Sequence, residues 1–357
     1  MKKLVSLVLV LLMGLCLVAS ASDLPAADVA EQGFNAYDKA VGYNDIKDSL
    51  GPIPRPEKAL TIGFCAKAFE NEFWRMEKEG AEAAAAAIKE SGIDITMDAR
   101  AAQGEGDEQG QLAVLNVMVN SAYDGIMLSP IADGNLLPGV ENAMAQNIPM
   151  LVVNDAFMPQ IRTTVGAWHL EGAELAAAWV AEQIGNEGEV AIIQGLPKNE
   201  AARIRTDGFK NWIETNCPNI TVVAVQNADW DRMKAKDVAD IWLKQFPDLK
   251  AIYANNDTMA MGALEAIRSA DKIGQTLIVG CDGTSEALQS VAAGELSATV
   301  NNFPFYMSQI GLEMMLRELG GQEIPKVIYS PQVVIDATNY DKDDAELIGW
   351  TGFTFAD

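Results

Sequence analysis

The sequence predicts an α/β protein built from two similar parallel-sheet lobes. From about Ala59 onward, short β-branched runs alternate with longer helical patterns, the order that builds a parallel sheet covered by helices. The strand-like runs fall into two comparable sets, and roughly 300 residues divide more readily between two α/β units than they fold as one. The runs also break, at their C-terminal ends, into polar and aromatic residues. Ligands of parallel α/β sheets bind outside the carboxyl ends of the strands, so residues placed there repeatedly point into one crevice.

In chain order, "ALTIGFCA", "IDITMDA", "DGIMLSP", "IPMLVVN" and "TTVGA" read as strands of the first unit. "GEVAIIQG", "ITVVAVQ", "KAIYANN", "TLIVGCD" and "SATVNN" read as strands of the second. Between the first two strands, "FWRMEKEGAEAAAAAIKESG" is an alanine-rich helix that stops at Gly92. The first strand runs out into Lys67, Asn71, Phe73 and Trp74, and "IPMLVV" into Asn154 and Asp155. In the second unit the corresponding residues are Asp229 and Trp230, then Asn255, Asn256 and Asp257, then Asp282.

The two ends of the chain read differently. Lys2 and Lys3 precede an apolar run from Leu4 to Val18, followed by Ala19, Ser20 and Ala21, so residues 1–21 are expected to be a cleaved secretion signal. Residues 22–57 form an N-terminal extension ending in "GPIPRPEK", whose prolines favour extended chain; it either wraps the first domain or stays mobile. At the other end, residues 337–357 are a polar tail closing on "GWTGFTFAD", whose Trp350, Phe353 and Phe355 are expected to dock on the body.

No other run is long and apolar enough to span a bilayer, so the mature chain is expected in the periplasm or outside the cell, without membrane insertion. The formal charge of −24 argues against nucleic acid and anionic membrane as partners. With Cys16 in the signal, Cys65, Cys217 and Cys281 remain, and a chain of this size buries enough core to fold without disulfides. His169 is the sole histidine, which leaves no histidine metal cluster and no Ser/His/Asp triad; no enzyme activity, metal or cofactor is expected. "QGEGDEQGQ" lacks the alternating ligands of a calcium loop and reads as a mobile loop after a strand.

From about Ala59 to Asp336 the chain resembles the periplasmic sugar-binding proteins of the ribose, allose and galactose type, which serve ABC importers. "KAFENEFW", "ADWDRMKAKDVA" and "KAIYANNDTMAMGAL" are closest to the allose type, and "GEVAIIQG", "VGCDGT" and "ATVNNFP" fit the wider pattern. The resemblance implies a type I periplasmic binding fold: two lobes joined by a three-crossover hinge, closing on a monosaccharide. Matching motifs place the crossovers near Ala167-Trp168, Asn302-Phe303 and Pro331-Gln332. The first lobe then takes residues 58–167 and 303–331, and the second takes 168–302 with 332–357, tail included. An ABC importer permease is the implied partner, and a monomer is expected.

The same resemblance assigns the ligand contacts. Phe73 and Trp74 would cover the apolar face of a sugar ring while its hydroxyls bond sideways, with Trp230 closing the opposite face. Arg203 would grip adjacent hydroxyls with its fixed fork of donors, and its neighbour Arg205 is expected to turn elsewhere. Asn256 and Asp282 are placed on the ligand, with Asp257 assigned to capping the following helix. Asn302 is the amide at the hinge, and Lys67 and Asn71 complete the first-lobe rim. "VVNDAF" departs from the pattern: Asn154 stands where relatives of this type carry aspartate, or else Asp155 shifts inward into that role. A sensory protein presenting a sugar or autoinducer-2 to a membrane receptor is the alternative. A secreted carbohydrate-active enzyme would need an acid/base pair that the sequence does not display.

Overall fold

The computed structural model describes residues 39–132, 134–154 and 157–357. The expected signal, residues 22–38 and Asp155 lie outside them. The first sheet holds β1 (Val41–Gly42), β2 (Leu60–Ala68), β3 (Ile95–Ala102), β4 (Gly125–Leu128), β5 (Met150–Val153), β6 (Thr163–Ala167) and β12 (Val327–Ser330). The second holds β7 (Gly188–Gln194), β8 (Ile220–Asn227), β9 (Leu249–Ala254), β10 (Leu277–Asp282), β11 (Ala298–Asn301) and β13 (Val333–Asp336). Their orders are β1-β12-β6-β5-β4-β2-β3 and β13-β11-β10-β9-β7-β8. All pairings are parallel except β11 with β13. Each strand expected from the sequence is present. The brief β1, β12 and β13 were missed.

The helices are α1 (Tyr43–Ile46), α2 (Glu72–Glu90), α3 (Glu108–Asn120), α4 (Leu137–Ala145), α5 (His169–Gln183) and α6 (Glu200–Asn216). They continue with α7 (Arg232–Gln245), α8 (Asp257–Ser269), α9 (Ser285–Ala292), α10 (Pro304–Leu319) and α11 (Asp344–Ile348). Both sheets are buried on two faces, as parallel sheets require. In the first, Ile62, Phe64 and Val153 pack with Met307 and Met314, while Cys65, Leu128 and Val152 pack with Leu115 and Met118 on the other side. In the second, Ile193 and Ile252 pack with Leu264, and Ile192 and Tyr253 with Phe209. Among the described residues no helix is long and apolar enough to cross a membrane.

The chain passes between the sheets after β6, after β11 and between β12 and β13. Within each sheet the order reverses at one point, between β2 and β4 and between β7 and β9. Crevices form at such reversals, because the loops leaving adjacent strands diverge to opposite faces.

The first described residues and the C-terminal tail both pack on the first lobe. Tyr43 donates to Glu313 Oε2 at 2.8 Å, Ile53 is buried, and Arg317 donates to the Leu50 and Gly51 carbonyls. The described part of the extension, residues 39–57, therefore wraps the lobe. Placing the tail with the second lobe requires correction: Trp350, Phe353 and Phe355 pack against the first-lobe core, and Phe355 pairs with Ile53. The physical reason is the apolar surface that the extension itself builds there.

Candidate functional site: the interlobe cleft

The carboxyl ends of both sheets face a shared cavity whose empty space, open mouth included, is about 280 Å³. From the first lobe it is lined by Lys67 at the end of β2, by Asn71, Phe73 and Trp74 where the chain enters α2, by Glu105 after β3 and by Asn154 after β5. From the second come Arg205 on α6, Trp230 after β8, Asn256 after β9 and Asp282 ending β10. The strand-end rule thus located most of the wall.

The aromatic groups are held rigidly. Phe73 and Trp74 meet edge to face with ring centroids 4.8 Å apart. Trp74 Nε1 donates to Glu105 Oε1 at 2.8 Å, and Asn71 Nδ2 donates to the same oxygen at 2.9 Å. The Lys67 ammonium lies 5.1 Å from the Trp74 ring centre. On the second lobe Trp230 covers Gly195, where a Cβ would come within 2.2 Å of the indole, so only glycine admits the ring at that depth.

Three residues of the cavity wall hold strained backbone. Asn154 (φ 61°), Trp230 (φ 64°) and Asp282 (φ 141°) adopt positive φ, as does Phe303 (φ 50°) at the second crossover. Non-glycine residues in such conformations cost about 1–3 kcal/mol each and persist where surrounding contacts over-determine them, which is characteristic of functional sites.

The polar floor is a buried network. Arg205 Nη1 donates to the Asn255 carbonyl at 2.7 Å and to Asp282 Oδ1 at 3.3 Å, and Nη2 lies 3.4 Å from His169 Nδ1. Burial, reinforced by the charges of Arg205 and Lys67, pushes His169 well below its usual pKa, so the ring is neutral and Nδ1 accepts from the guanidinium. Burial raises Asp282 well above the ordinary carboxylate range, and Arg205 opposes that rise. Among the described residues the Arg205 Nε–H has no protein acceptor, and the side chain lines the cavity. A ligand hydroxyl is the complementary group.

Several sequence expectations need correction. Arg203 does not line the cavity; it donates to the Pro197 carbonyl at 3.0 Å, while Arg205 reaches the floor. The helical period shows why: Ala202, Arg205, Phe209 and Ile213 share the buried face of α6, and Arg203 is turned from it. Asn256, not Asp257, caps α8, its Oδ1 accepting from Met259 N at 2.9 Å, so its amide NH₂ is what remains for the cavity. Asp257 is instead buried and accepts from Thr284 N, Thr284 Oγ1 and Thr299 Oγ1. Asn302 is withdrawn into the hinge, donating to Cys281 Sγ and accepting from Gln332 Nε2 at 2.6 Å. Glu105 was missed. It lies in "QGEGDEQGQ", directly after β3, and the same strand-end argument applied to that run would have found it.

The lobes also touch along the cleft rim. Lys198 pairs with Glu108, Phe157 N donates to Glu200 Oε2 at 3.3 Å, and Glu286 N to Glu72 Oε2 at 3.3 Å. Thr258 Oγ1 donates to Asn71 Oδ1 at 3.4 Å. Among the described residues no cluster of side chains could hold a metal ion.

Residues 62–323 match the periplasmic binding protein domain family. The chain is 35% identical to the D-allose-binding periplasmic protein of Escherichia coli over 72% of its own length and 85% of that protein's. It is 31% identical to the ribose import binding protein of Bacillus subtilis, covering 77% of this chain and 87% of the relative. A solved ABC transporter periplasmic solute binding protein from Actinobacillus succinogenes with bound D-allose superposes with a TM-score of 0.72 at 28% identity, over 79% of this chain and 99% of that one. Two crossed-over parallel-sheet lobes, a cavity at their facing carboxyl ends and a match that spans both lobes agree: the chain belongs to the periplasmic binding protein domain family.

Proposed function

We propose that this protein captures a monosaccharide between its lobes and presents it to an ABC-type importer in the periplasm, as a binding protein and not an enzyme. The observation that carries the reading is the pairing of aromatic faces from opposite lobes, Phe73 and Trp74 against Trp230, around a polar floor of Arg205, Asp282 and Asn256. Aromatic faces suit the C–H face of a sugar ring, and the floor suits its hydroxyl edge. Relatives named for allose binding and ribose import support the same class of cargo.

Closure follows from binding both walls at once. A ligand shifts the lobe equilibrium by the difference in its affinity for the two arrangements, and contacts from both lobes exist only when they meet. Discrimination between epimers rests on the buried network, since a hydroxyl pointing the wrong way leaves a desolvated donor or acceptor unpaired. Asn154, an amide that both donates and accepts, sets part of that pattern. Secretion by an N-terminal signal and action as a monomer complete the proposal.

The test is a thermal-shift screen of the stripped mature protein against pentoses, hexoses, sugar alcohols and autoinducer-2, followed by calorimetry on any hit. A ligand bound only by the native state raises apparent stability by mass action. A large shift with one monosaccharide supports the reading. A response to autoinducer-2 alone points to signalling, and silence across all sugars overturns the assignment.

A further inference from the structure

We infer that residues 336–357 form a strap across the hinge that limits how far the two lobes part. The family match ends at residue 323, so the strap lies outside it. The proposed function enters only where a ligand is used to read its effect.

The strap is fixed at both ends. On the second lobe, Trp179 Nε1 donates to Asp336 Oδ2 at 2.8 Å, and Asn339 Nδ2 donates to the Val334 carbonyl at 2.9 Å. On the first, Lys47 Nζ donates to the Gly349 carbonyl at 2.5 Å, and Trp350 packs 6.1 Å from the Tyr43 ring and 5.4 Å from Phe353. Ile53 then exchanges backbone hydrogen bonds with Thr354 and Ala356 at 2.7 and 2.9 Å. Burial of these rings against the first-lobe core makes undocking costly.

Between the anchors lie residues 341–348, and α11 takes up most of them. The helix is closed at its start by Asp343, which accepts from Glu346 N at 3.1 Å, and at its end by Trp350 N donating to the Ala345 carbonyl at 2.8 Å. Helical residues advance about 1.5 Å each and extended ones about 3.3 Å, so melting α11 would release roughly 9 Å of reach. Parting the lobes at this edge therefore draws on the strap, through loss of α11 or of the aromatic dock.

The strap also touches the moving joint. Asn301 Nδ2 donates to Asp344 Oδ1 at 3.4 Å, while Asn301 Oδ1 accepts from Phe303 N at 2.7 Å and so supports the positive-φ turn of the second crossover. The contact joins the tail to the segment that must rotate when the lobes separate.

Two variants test the strap. One stops after Tyr340. The other inserts six Gly/Ser residues between Asp341 and Lys342, which leaves both anchors and their buried surface in place and removes only the tether. Small-angle X-ray scattering of ligand-free protein is the deciding measurement, since it needs no sugar. The radius of gyration is expected to rise in the insertion variant and to rise at least as much in the truncated one. Apparent affinity for D-allose should fall about threefold to tenfold, as the closed fraction of the free protein shrinks. An insertion variant with the parent's radius overturns the strap, even if truncation alone perturbs folding. Failure of the parent to bind D-allose would count against the choice of sugar and leave the scattering result to judge the strap.

Discussion

Arg205 and Asp282 form an ion pair across 3.3 Å at the floor of the cleft, with side chains only 4% and 5% exposed. The arginine leaves the first half of α6 and the carboxylate ends β10, so the pair ties two elements of the second lobe beneath the ligand position. Such a pair is orienting more than stabilising in itself, but removal of one partner strands the other charge in a desolvated site.

Arg205→Ala is therefore expected to abolish measurable sugar binding and to lower stability by about 3 kcal/mol or more. Arg203→Ala, two residues away, should leave sugar affinity within about twofold, because its fork does not reach the cavity. Calorimetric titration with urea unfolding of each variant checks both statements. Equal losses of affinity in the two variants would refute the assignment of Arg205.

Gly195 and Trp230 provide a second test. A methyl at 195 would sit within 2.2 Å of the indole, so Gly195→Ala should displace Trp230 from the cavity wall. Affinity is expected to fall about tenfold or more, close to the loss in Trp230→Ala, because both remove one aromatic face. The double variant should lose little beyond either single one, since the two act through one ring. Additive losses in the titrations would mean that the glycine acts elsewhere.

The sheet was legible because parallel strands buried on both faces are continuous apolar runs with sharp polar ends, and those ends, Lys67, Asn154, Asn256 and Asp282, are the cavity wall. What failed did so for local reasons. Choosing between Arg203 and Arg205 required the phase of α6, which Ala202, Phe209 and Ile213 carry, and the motif match was followed instead. Asn256 and Asp257 are adjacent polar residues before a helix, and propensity alone does not say which one caps. The docking of Trp350 on the first lobe depends on apolar surface supplied by Tyr43 and Ile53, some three hundred residues earlier, and no local pattern encodes it.

Asp257 gives the fold a pH dependence with a definite sign. Burial raises its carboxyl from 3.8 to about 6, against hydrogen bonds from Thr299 and Thr284 that pull it down. A carboxyl that holds its proton more tightly when folded contributes stability that is full below the unfolded value and is lost as pH rises through the folded one. The window is thus pH 4 to just above 6, and the loss is about 2–3 kcal/mol. The stability of the parent minus that of Asp257→Asn should fall by that amount between pH 4 and pH 7 in urea unfolding. A difference independent of pH would show that the group titrates alike in both states.

Glu105 is the acceptor on which the first-lobe aromatics depend. One oxygen receives both the Trp74 indole and the Asn71 amide, and Asn71 in turn caps α2 and meets Thr258 of the other lobe. Glu105→Ala leaves two buried or half-buried donors unpaired, each costing about 1–3 kcal/mol, and frees the Trp74 ring to tilt. Sugar affinity should fall at least tenfold. Glu105→Gln keeps a carbonyl oxygen at the same place, so it should recover part of the loss, with Trp74 fluorescence closer to that of the parent. Titrations that put Gln level with Ala would shift the role of Glu105 from holding the indole to its charge, and parent-like affinity in both would remove it from the site.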